Sequence, residues 1–338
     1  MSDTLIKIEN LRTQFTLDEG ILKAVDGVDF DIPKRKTVGV IGESGCGKSV
    51  TAQSILRIVP SPGEITEGRI LLDREDDEPL DLAALDGRGE EIRRIRGKQI
   101  SMVFQEPMTS LSPVHKIGAQ IAEAVKLHTD LEDNDVRPFV EEMIQKVGIS
   151  NPSQRYDEYP HQLSGGMRQR AMIAMALSCN PRLLIADEPT TALDVTVQAQ
   201  ILELMKSLQE QYQMAIFYIT HDLGVIAEIA DQVNVMYLGR IVERGSAVEV
   251  FDNPLHPYTR LLLKSIPKVG RKARVRLEAI EGTVPIPMNQ PAQCGFFSRC
   301  PQAMKGKCDG FIPALVEASP DHLVRCFLHS DATEQASE

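Results

Sequence analysis

The sequence predicts an α/β fold in which a mostly parallel sheet is covered by helices on both faces. Three apolar segments have the composition of buried parallel strands, namely residues 36–41, 182–187 and 214–222. Segments with apolar residues on one helical face lie between them, as in residues 167–179 and 195–212. This alternation of strand and helix predicts the parallel sheet.

Other segments depart from that alternation. Residues 5–15 alternate in polarity and predict an edge strand of an antiparallel pair, and residues 232–245 predict a hairpin. Residues 64–104 predict strands interrupted by an exposed acidic loop, whereas residues 117–147 predict a helical insertion. After residue 250 prolines become frequent and the pattern predicts irregular structure.

Length and charge limit the class of protein. The chain has 338 residues, which suggests two domains or one large domain with an appendage. A net charge of −11 argues against binding nucleic acid by bulk electrostatics. The start is polar and acidic, and no apolar run approaches the length of a membrane span, so we expect a cytosolic chain that reaches a membrane through a partner. The basic run Lys268–Arg276 is expected to be a solvated linker, with contact to lipid headgroups or an acidic partner as the alternative.

A phosphate-binding motif follows the first buried strand. Residues 42–49, GESGCGKS, match G-x-x-x-x-G-K-[ST] where a strand gives way to a helix. Glycines let successive backbone N–H groups point at phosphate, and the helix N-terminus favours negative charge. We expect Lys48 to reach the β- and γ-phosphates and the Ser49 hydroxyl to bind Mg²⁺. The predicted nucleotide-binding residues are Gly42, Glu43, Ser44, Gly45, Cys46, Gly47, Lys48, Ser49 and Val50.

Cys46 lies inside this loop and has two interpretations. It is either a small residue that fills a tight turn or a redox-sensitive thiol.

An acidic pair supplies the second half of the predicted site. The apolar strand LLIAD ends at Asp187, and Glu188 follows directly. An aspartate at the carboxyl edge of a parallel sheet can hold Mg²⁺ through water. A carboxylate one residue further can act as general base on the attacking water.

With the segment LSGGMRQR, residues 163–170, the chain resembles the ATP-binding cassette (ABC) ATPases. Gln105 matches the family's Q-loop, Thr191–Asp194 its D-loop and His221 its switch histidine, in the family's order. The resemblance implies a RecA-like P-loop NTPase core with an antiparallel β-subdomain and a helical subdomain at about residues 106–166. Together these form an ABC nucleotide-binding domain over residues 1–250.

The resemblance also implies roles for individual residues. In the family two cassettes pack head to tail, and the serine and glycines of one signature cap the γ-phosphate that the other cassette holds. Here these are Ser164, Gly165 and Gly166, which start a helix and so form a second anion site. His221 would contact the γ-phosphate, Gln105 would touch Mg²⁺ or the lytic water, and Asp194 would lie at the interface.

Adenine usually stacks on an aromatic ring before the phosphate loop in this family. Phe15 is the candidate, and core packing is the alternative role for its ring.

Two further segments narrow the resemblance to one subgroup. Residues 105–121 and residues 253–267 are similar to those of the oligopeptide, dipeptide and nickel importers. This similarity implies an ATP-hydrolysing subunit at the cytoplasmic face of the bacterial inner membrane. Its partners would be a second ATPase subunit, two permeases and a solute-binding protein. Di- and oligopeptides are the expected cargo, with nickel or oligosaccharides as alternatives, and residues 251–338 would form the subgroup's C-terminal extension.

Functions of other classes compete with transport. An ABC ATPase acting on nucleic acid or ribosomes is disfavoured by the negative charge, the short insertion and the single signature. A regulatory subunit that binds ATP without cutting it is disfavoured because Glu188 is intact.

Four cysteines, Cys294, Cys300, Cys308 and Cys326, group within the C-terminal extension. Clustered thiols in a cytosolic chain favour a metal over disulfides. The gaps are longer than those of C-x₂₋₄-C zinc pairs, and some importers of the subgroup carry a [4Fe–4S] cluster in this region with similar spacing. A [4Fe–4S] cluster is therefore expected, with zinc, a disulfide or free thiols as alternatives, acting as a structural brace or a redox sensor.

Overall fold

The computed structural model describes residues 3–75, 77–105, 110–191, 193–265 and 280–330. The chain divides into two compact units. The first contains Met1–Ile32, Thr37–Ala84 and Ile219–Glu338, and the second contains Pro33–Lys36 and Leu85–Tyr218. The basic run Lys268–Arg276 lies outside the described residues.

An antiparallel sheet forms one part of the first unit. Its strands are β1 (Thr4–Leu17), β2 (Gly20–Pro33), β4 (Gly63–Leu72) and β5 (Leu80–Asp81), in the order β2-β1-β4-β5. Since β1 has a strand on each side, the prediction that it is an edge strand was wrong. Alternating polarity reports that one face of a strand is buried, and it does not report how many neighbours the strand has.

The first unit also holds the strand that leads to the phosphate loop. Strand β3 (Thr37–Ile41) is buried along its whole length and pairs in parallel with β9 (Gln232–Tyr237). Strands β9 and β10 (Arg240–Ser246) pair antiparallel, which confirms the predicted hairpin. The order continues through β12 (His322–Val324) to β11 (Val316–Ser319). The helices of this unit are α1 (Lys48–Ile55), α8 (Leu223–Ile229), α9 (Ala247–Asp252) and α10 (Pro257–Lys264).

The second unit is a parallel sheet with many helices. Its strands are β6 (Ile100–Val103), β7 (Leu183–Asp187) and β8 (Ala215–Ile219), in the order β8-β7-β6. Strands β6 and β7 run parallel, and every residue of β7 and β8 is buried, as the apolar runs predict. The helices are α2 (Glu90–Ile95), α3 (Ile117–His128), α4 (Asp133–Lys146), α5 (Pro152–Tyr156), α6 (Gly165–Leu177) and α7 (Val195–Tyr212).

The parallel strands of the sheet and the helices between them confirm the predicted α/β class. Helices α3, α4 and α5 fall within the predicted helical subdomain, whose bounds, like those of the other predicted domains, stay a prediction. In the described ranges, each helix is too short or too polar to cross a membrane.

One buried carboxylate on strand β10 holds two described parts of the predicted C-terminal extension. Glu243 is 0% exposed and accepts hydrogen bonds from the backbone N–H of Leu255 (2.7 Å) and of His256 (2.8 Å). Nε2 of His322 lies 2.8 Å from the same carboxylate and donates to it. Glu243 thus accepts hydrogen bonds both from the backbone just before α10 and from His322 on β12. These hydrogen bonds help to order a segment whose sequence has no periodic apolar pattern.

Replacing Glu243 by alanine should lower the free energy of unfolding by about 3–5 kcal/mol. The reason is that two backbone N–H groups and His322 would keep their burial and lose their acceptor. Urea unfolding followed by circular dichroism measures this change. Glu67→Ala, which removes a half-exposed partner of Arg12, serves as the control and should cost less than about 1 kcal/mol. Equal effects of the two substitutions would contradict the role given to Glu243.

His256 makes the stability of the extension depend on pH. Its ring is buried, Nδ1 accepts the backbone N–H of Tyr258 at 3.0 Å, and burial lowers the pKa of His256 to about 3. The unfolded chain therefore binds this proton below a pH of about 6.5, whereas the folded chain binds it only near pH 3. Stability should fall as pH falls through this window, by up to about 1.4 kcal/mol per pH unit.

His256→Asn keeps a side chain that can cap α10 but removes the titration. The variant should therefore show a shallower decline of unfolding free energy between pH 6 and pH 4, measured by urea titration at each pH. Parallel pH profiles for the variant and the unmodified protein would contradict this account.

Candidate nucleotide-binding site

The phosphate loop is a tight turn between β3 and α1 in the first unit. Gly47 precedes the helix with φ of 101°, and a Cβ built there would lie 2.1 Å from the Ala24 carbonyl oxygen, so only glycine fits. Lys48 is 5% exposed, and its Nζ donates to the carbonyl oxygens of Gly42 (2.8 Å) and Glu43 (3.0 Å). The lysine thus spans the loop whose N–H groups are expected to receive phosphate.

The remaining loop residues differ in exposure. Ser44 and Gly45 are exposed at the tip, whereas Ser49 and Val50 are half-buried in the first turn of α1. This places a hydroxyl oxygen at the helix N-terminus, where the motif predicts a magnesium ligand.

Cys46 is fully buried in the loop. Burial raises the pKa of its thiol, and its carbonyl oxygen accepts the backbone N–H of Gly239 at 2.9 Å. A buried protonated thiol is a poor nucleophile and a poor target for oxidants. These observations favour the interpretation of Cys46 as a small residue that fills a tight turn.

The acidic pair lies at the end of β7 in the second unit. Asp187 is the last residue of the strand and is buried, while Glu188 follows with φ of 46°. Its Oε2 accepts hydrogen bonds from Nε2 of Gln105 (3.1 Å) and from Oγ1 of Thr191 (2.9 Å). Residues that are 83 positions apart in the chain, both predicted to be catalytic, are therefore in direct contact.

The backbone at Glu188 is strained. A positive φ is uncommon for a residue with a long side chain, and such conformations gather at functional sites. The two hydrogen bonds to Oε2 hold the carboxylate in a fixed direction.

The signature segment starts helix α6 in the second unit. Ser164 is the exposed N-cap, and its Oγ accepts the backbone N–H of Met167 at 3.3 Å. Gly165 opens the helix, and a Cβ at Gly166 would lie 2.8 Å from Cγ1 of Val197 on α7. Glycine at position 166 thus permits α6 and α7 to approach closely.

Asp194 caps the neighbouring helix. Its exposed carboxylate accepts the backbone N–H groups of Thr196 (3.1 Å) and Val197 (3.0 Å) at the start of α7. The predicted D-loop residue is therefore a helix N-cap at the surface of its unit.

Two predicted residues remain, and both lie in the first unit. His221 is exposed and immediately precedes Asp222, whose side chain caps α8. Phe15 is half-buried on β1 opposite Gly63, where an added Cβ would lie 2.5 Å from its ring. The ring therefore packs on the sheet, and stacking on adenine stays a prediction.

The four cysteines of the extension are free thiols that act on one another electrostatically. The pKa of Cys294 is raised to about 12, chiefly by burial and to a smaller extent by the charges of Cys308, Cys326 and Cys300. Burial also raises the pKa of Cys300 and of Cys326. Within the described residues, however, no group of three or more His, Cys, Asp or Glu side chains is arranged to hold a metal ion. The donor types fit an iron–sulfur cluster, but their arrangement does not support the predicted one.

Sequence reasoning missed two residues of the extension that contact the phosphate loop. Arg299 forms an ion pair with Glu43, and the hydroxyl of Tyr258 accepts the Glu43 N–H. Tyr258 lies in the segment that resembles the importers, but no local pattern marks Arg299.

The loop and the acidic pair define a P-loop nucleotide-binding protein. The ABC transporter profile matches residues 25–191, and the profile for the oligopeptide/dipeptide transporter C-terminal region matches residues 242–308. The dimeric structure of MJ0796, a bacterial ABC transporter cassette, covers 72% of the chain with 98% of its own length, at 27% identity and a TM-score of 0.62. The cassette cbiO1 from Clostridium perfringens covers 75% of the chain with 92% of its own length, at 28% identity and a TM-score of 0.61.

Curated relatives match over nearly the whole chain. The oligopeptide transport ATP-binding protein AppD of Bacillus subtilis is 49% identical over 99% of both chains. The dipeptide transport ATP-binding protein DppD of the same organism is 45% identical over 99% of this chain and 97% of its own. The chain therefore belongs to the ABC transporter ATP-binding proteins, in the branch that carries the oligopeptide/dipeptide transporter C-terminal region, and it is an ATPase of that type.

Proposed function

We propose that this chain is the ATP-hydrolysing subunit of a bacterial importer of di- and oligopeptides. The peptide assignment is supported by the relatives of 45–49% identity, whose names specify oligopeptide or dipeptide transport. The hydrolytic assignment rests on one observation, the contact of Gln105 and Thr191 with Glu188 directly after buried Asp187. This arrangement holds a carboxylate ready to accept a proton.

ATP would bind with its phosphates on the loop of residues 42–49. Lys48 would exchange its two carbonyl contacts for the β- and γ-phosphate oxygens, and Ser49 and Asp187 would supply oxygen ligands of the kind that Mg²⁺ prefers. When bound, Mg²⁺ would neutralise charge on the phosphates.

Hydrolysis then requires a water molecule and a base. Glu188 accepts the proton of the water as its oxygen attacks the γ-phosphorus, and the bond to the ADP oxygen breaks. Gln105 holds the carboxylate through its amide, and His221 would contact the γ-phosphate.

The exposed start of α6, with Ser164 and Gly165 at the surface, supports a second cassette as the proposed partner. Ser164, Gly165 and Gly166 would cap the γ-phosphate bound by that cassette, and Asp194 would line the same interface. Loss of the γ-phosphate on hydrolysis would break the contact between the two cassettes. Their separation would return two permease subunits to their starting conformation. A solute-binding protein would deliver the solute to these permeases. The chain would then act as a peripheral subunit at the cytoplasmic face of the inner membrane.

Glu188→Gln should lower the rate of ATP hydrolysis by about 10²–10⁴-fold while ATP binding is retained, because only the base is lost. Phosphate release and nucleotide binding by the purified chain measure the two effects. In vesicles that contain the permeases and the binding protein, uptake of labelled dipeptide should stop.

Glu203→Gln, the same chemical change at an exposed position of α7, is the matched control and should leave hydrolysis intact. Hydrolysis by the Glu188 variant at the unmodified rate would overturn the catalytic assignment. Vesicles that take up nickel or an oligosaccharide in place of peptide would overturn the cargo.

We also propose that the four cysteines are the ligands of a [4Fe–4S] cluster. Burial raises the pKa of Cys294, Cys300 and Cys326, and the charges of nearby cysteines add to each rise, so these thiolates are costly without a cation and metal binding would favour them. The sequence between Cys294 and Cys326 has few regularly spaced apolar residues from which to build a hydrophobic core. A cluster would therefore stabilise the fold of the extension.

Anaerobic purification should yield a brown protein with four iron atoms per chain, measured by iron assay and visible absorption. Cys300→Ser should lose the colour and increase proteolysis of the extension. Colourless protein with stoichiometric zinc would overturn the iron–sulfur proposal, and unchanged protease resistance would overturn the bracing role.

A further inference from the structure

Arg299 of the C-terminal extension forms a bidentate ion pair with Glu43 of the phosphate loop. Nη1 of Arg299 donates to Oε2 of Glu43 at 2.7 Å, and Nη2 donates to Oε1 at 3.0 Å. The arginine side chain is 5% exposed and the glutamate 27%. A shielded bidentate pair of this kind is stronger and more directional than a single surface ion pair.

The remaining donors of Arg299 are also occupied. Nε donates to the Glu281 carbonyl oxygen at 3.0 Å, Nη2 to that of Gly282 at 3.1 Å, and Nη1 to the Tyr237 hydroxyl at 3.3 Å. The hydrogen bond to Glu43 is the largest cause that raises the pKa of Arg299. The guanidinium is thus held in one orientation by its own segment and by the end of β9.

A second contact from the extension holds the backbone of the same loop residue. The Tyr258 hydroxyl accepts the Glu43 N–H at 2.9 Å, and burial raises the pKa of Tyr258, so the hydroxyl stays neutral. The carbonyl oxygen of Glu43 accepts from Lys48. Glu43 therefore links the extension to the lysine expected to bind phosphate.

Aromatic packing supports the segment that carries Arg299. Phe296 is buried, with its ring centroid 5.2 Å from that of Tyr237 and 5.3 Å from that of Tyr258. Phe296 and Arg299 both lie between Cys294 and Cys300. The part of the extension that touches the loop region is therefore fixed by a core of rings.

The ion pair between Arg299 and Glu43 can reduce the repulsion between the Glu43 carboxylate and bound phosphate. Glu43 places a negative charge in a loop that is expected to bind the most highly charged part of ATP, and like charges repel more strongly where water is excluded. Arg299 neutralises that carboxylate and directs it toward the extension.

We propose that Arg299 is a positioning residue for ATP binding, which neutralises Glu43 and holds the phosphate loop in its binding conformation. This inference rests on the proposed assignment of residues 42–49 as the phosphate site. Its effect falls on nucleotide affinity and leaves the chemical step to Glu188.

The test is equilibrium binding of ATP with Mg²⁺ to the purified full-length chain, together with KM and kcat for hydrolysis. Arg299→Ala should raise Kd and KM about tenfold, which corresponds to about 1.4 kcal/mol, with kcat within about twofold. Arg299→Lys keeps the charge and should recover most of the affinity.

The double variant Glu43→Gln with Arg299→Ala separates charge from folding. It should bind ATP within about threefold of Glu43→Gln alone, because the repulsive carboxylate is absent. Lys307→Ala is the control, since Lys307 contacts Ser330 and Phe327 in the same extension, and it should leave Kd unchanged. Weak binding by Arg299→Ala that Glu43→Gln does not relieve would assign Arg299 a merely structural role and overturn the inference.

Unchanged affinity in Arg299→Ala would overturn it as well. Lys48→Ala distinguishes this failure from failure of the proposed site. If Lys48→Ala abolishes binding and Arg299→Ala does nothing, only the inference fails. If Lys48→Ala binds ATP normally, the assignment of the phosphate loop fails.

Discussion

The phosphate loop imposes the constraint on which the rest of the first unit depends. Backbone N–H groups that bind an anion are not available for hydrogen bonds within the loop itself. The conformation of such a loop must therefore be stabilised by contacts with other parts of the chain. Buried strand β3 fixes one end, and the first turn of α1 fixes the other. Contacts between the loop and residues distant in the sequence complete the support: Gly239 binds the Cys46 carbonyl and Arg299 the Glu43 carboxylate.

The extension depends on buried polar contacts more than on a hydrophobic period. Glu243 joins the start of α10 to β12, and Arg299 joins the cysteine-bearing segment to the loop. Both contacts place a charge where water is scarce, so each is specific and each is costly to break. The extension is therefore structurally continuous with the nucleotide-binding part of its unit.

Much of this arrangement could be predicted from the sequence because it is encoded locally. The motif at residues 42–49, the apolar run before Asp187 and the periodicity of residues 195–212 each specify a short segment. The order of the family's motifs then predicted that Gln105 and Glu188 belong to one catalytic site. In the structure a hydrogen bond joins the two side chains. The error at β1 arose because alternation describes a face and not the number of neighbouring strands. Arg299 and Glu43 are 256 positions apart, and no local pattern records such a pair.

Amide hydrogen exchange of residues 42–50 tests most directly whether this loop is the nucleotide site and is held from outside. The account predicts that ATP with Mg²⁺ slows exchange of these amides in the unmodified protein, and that without nucleotide they exchange faster in the Arg299→Ala variant. Exchange that is unaffected by nucleotide across this segment would contradict the account.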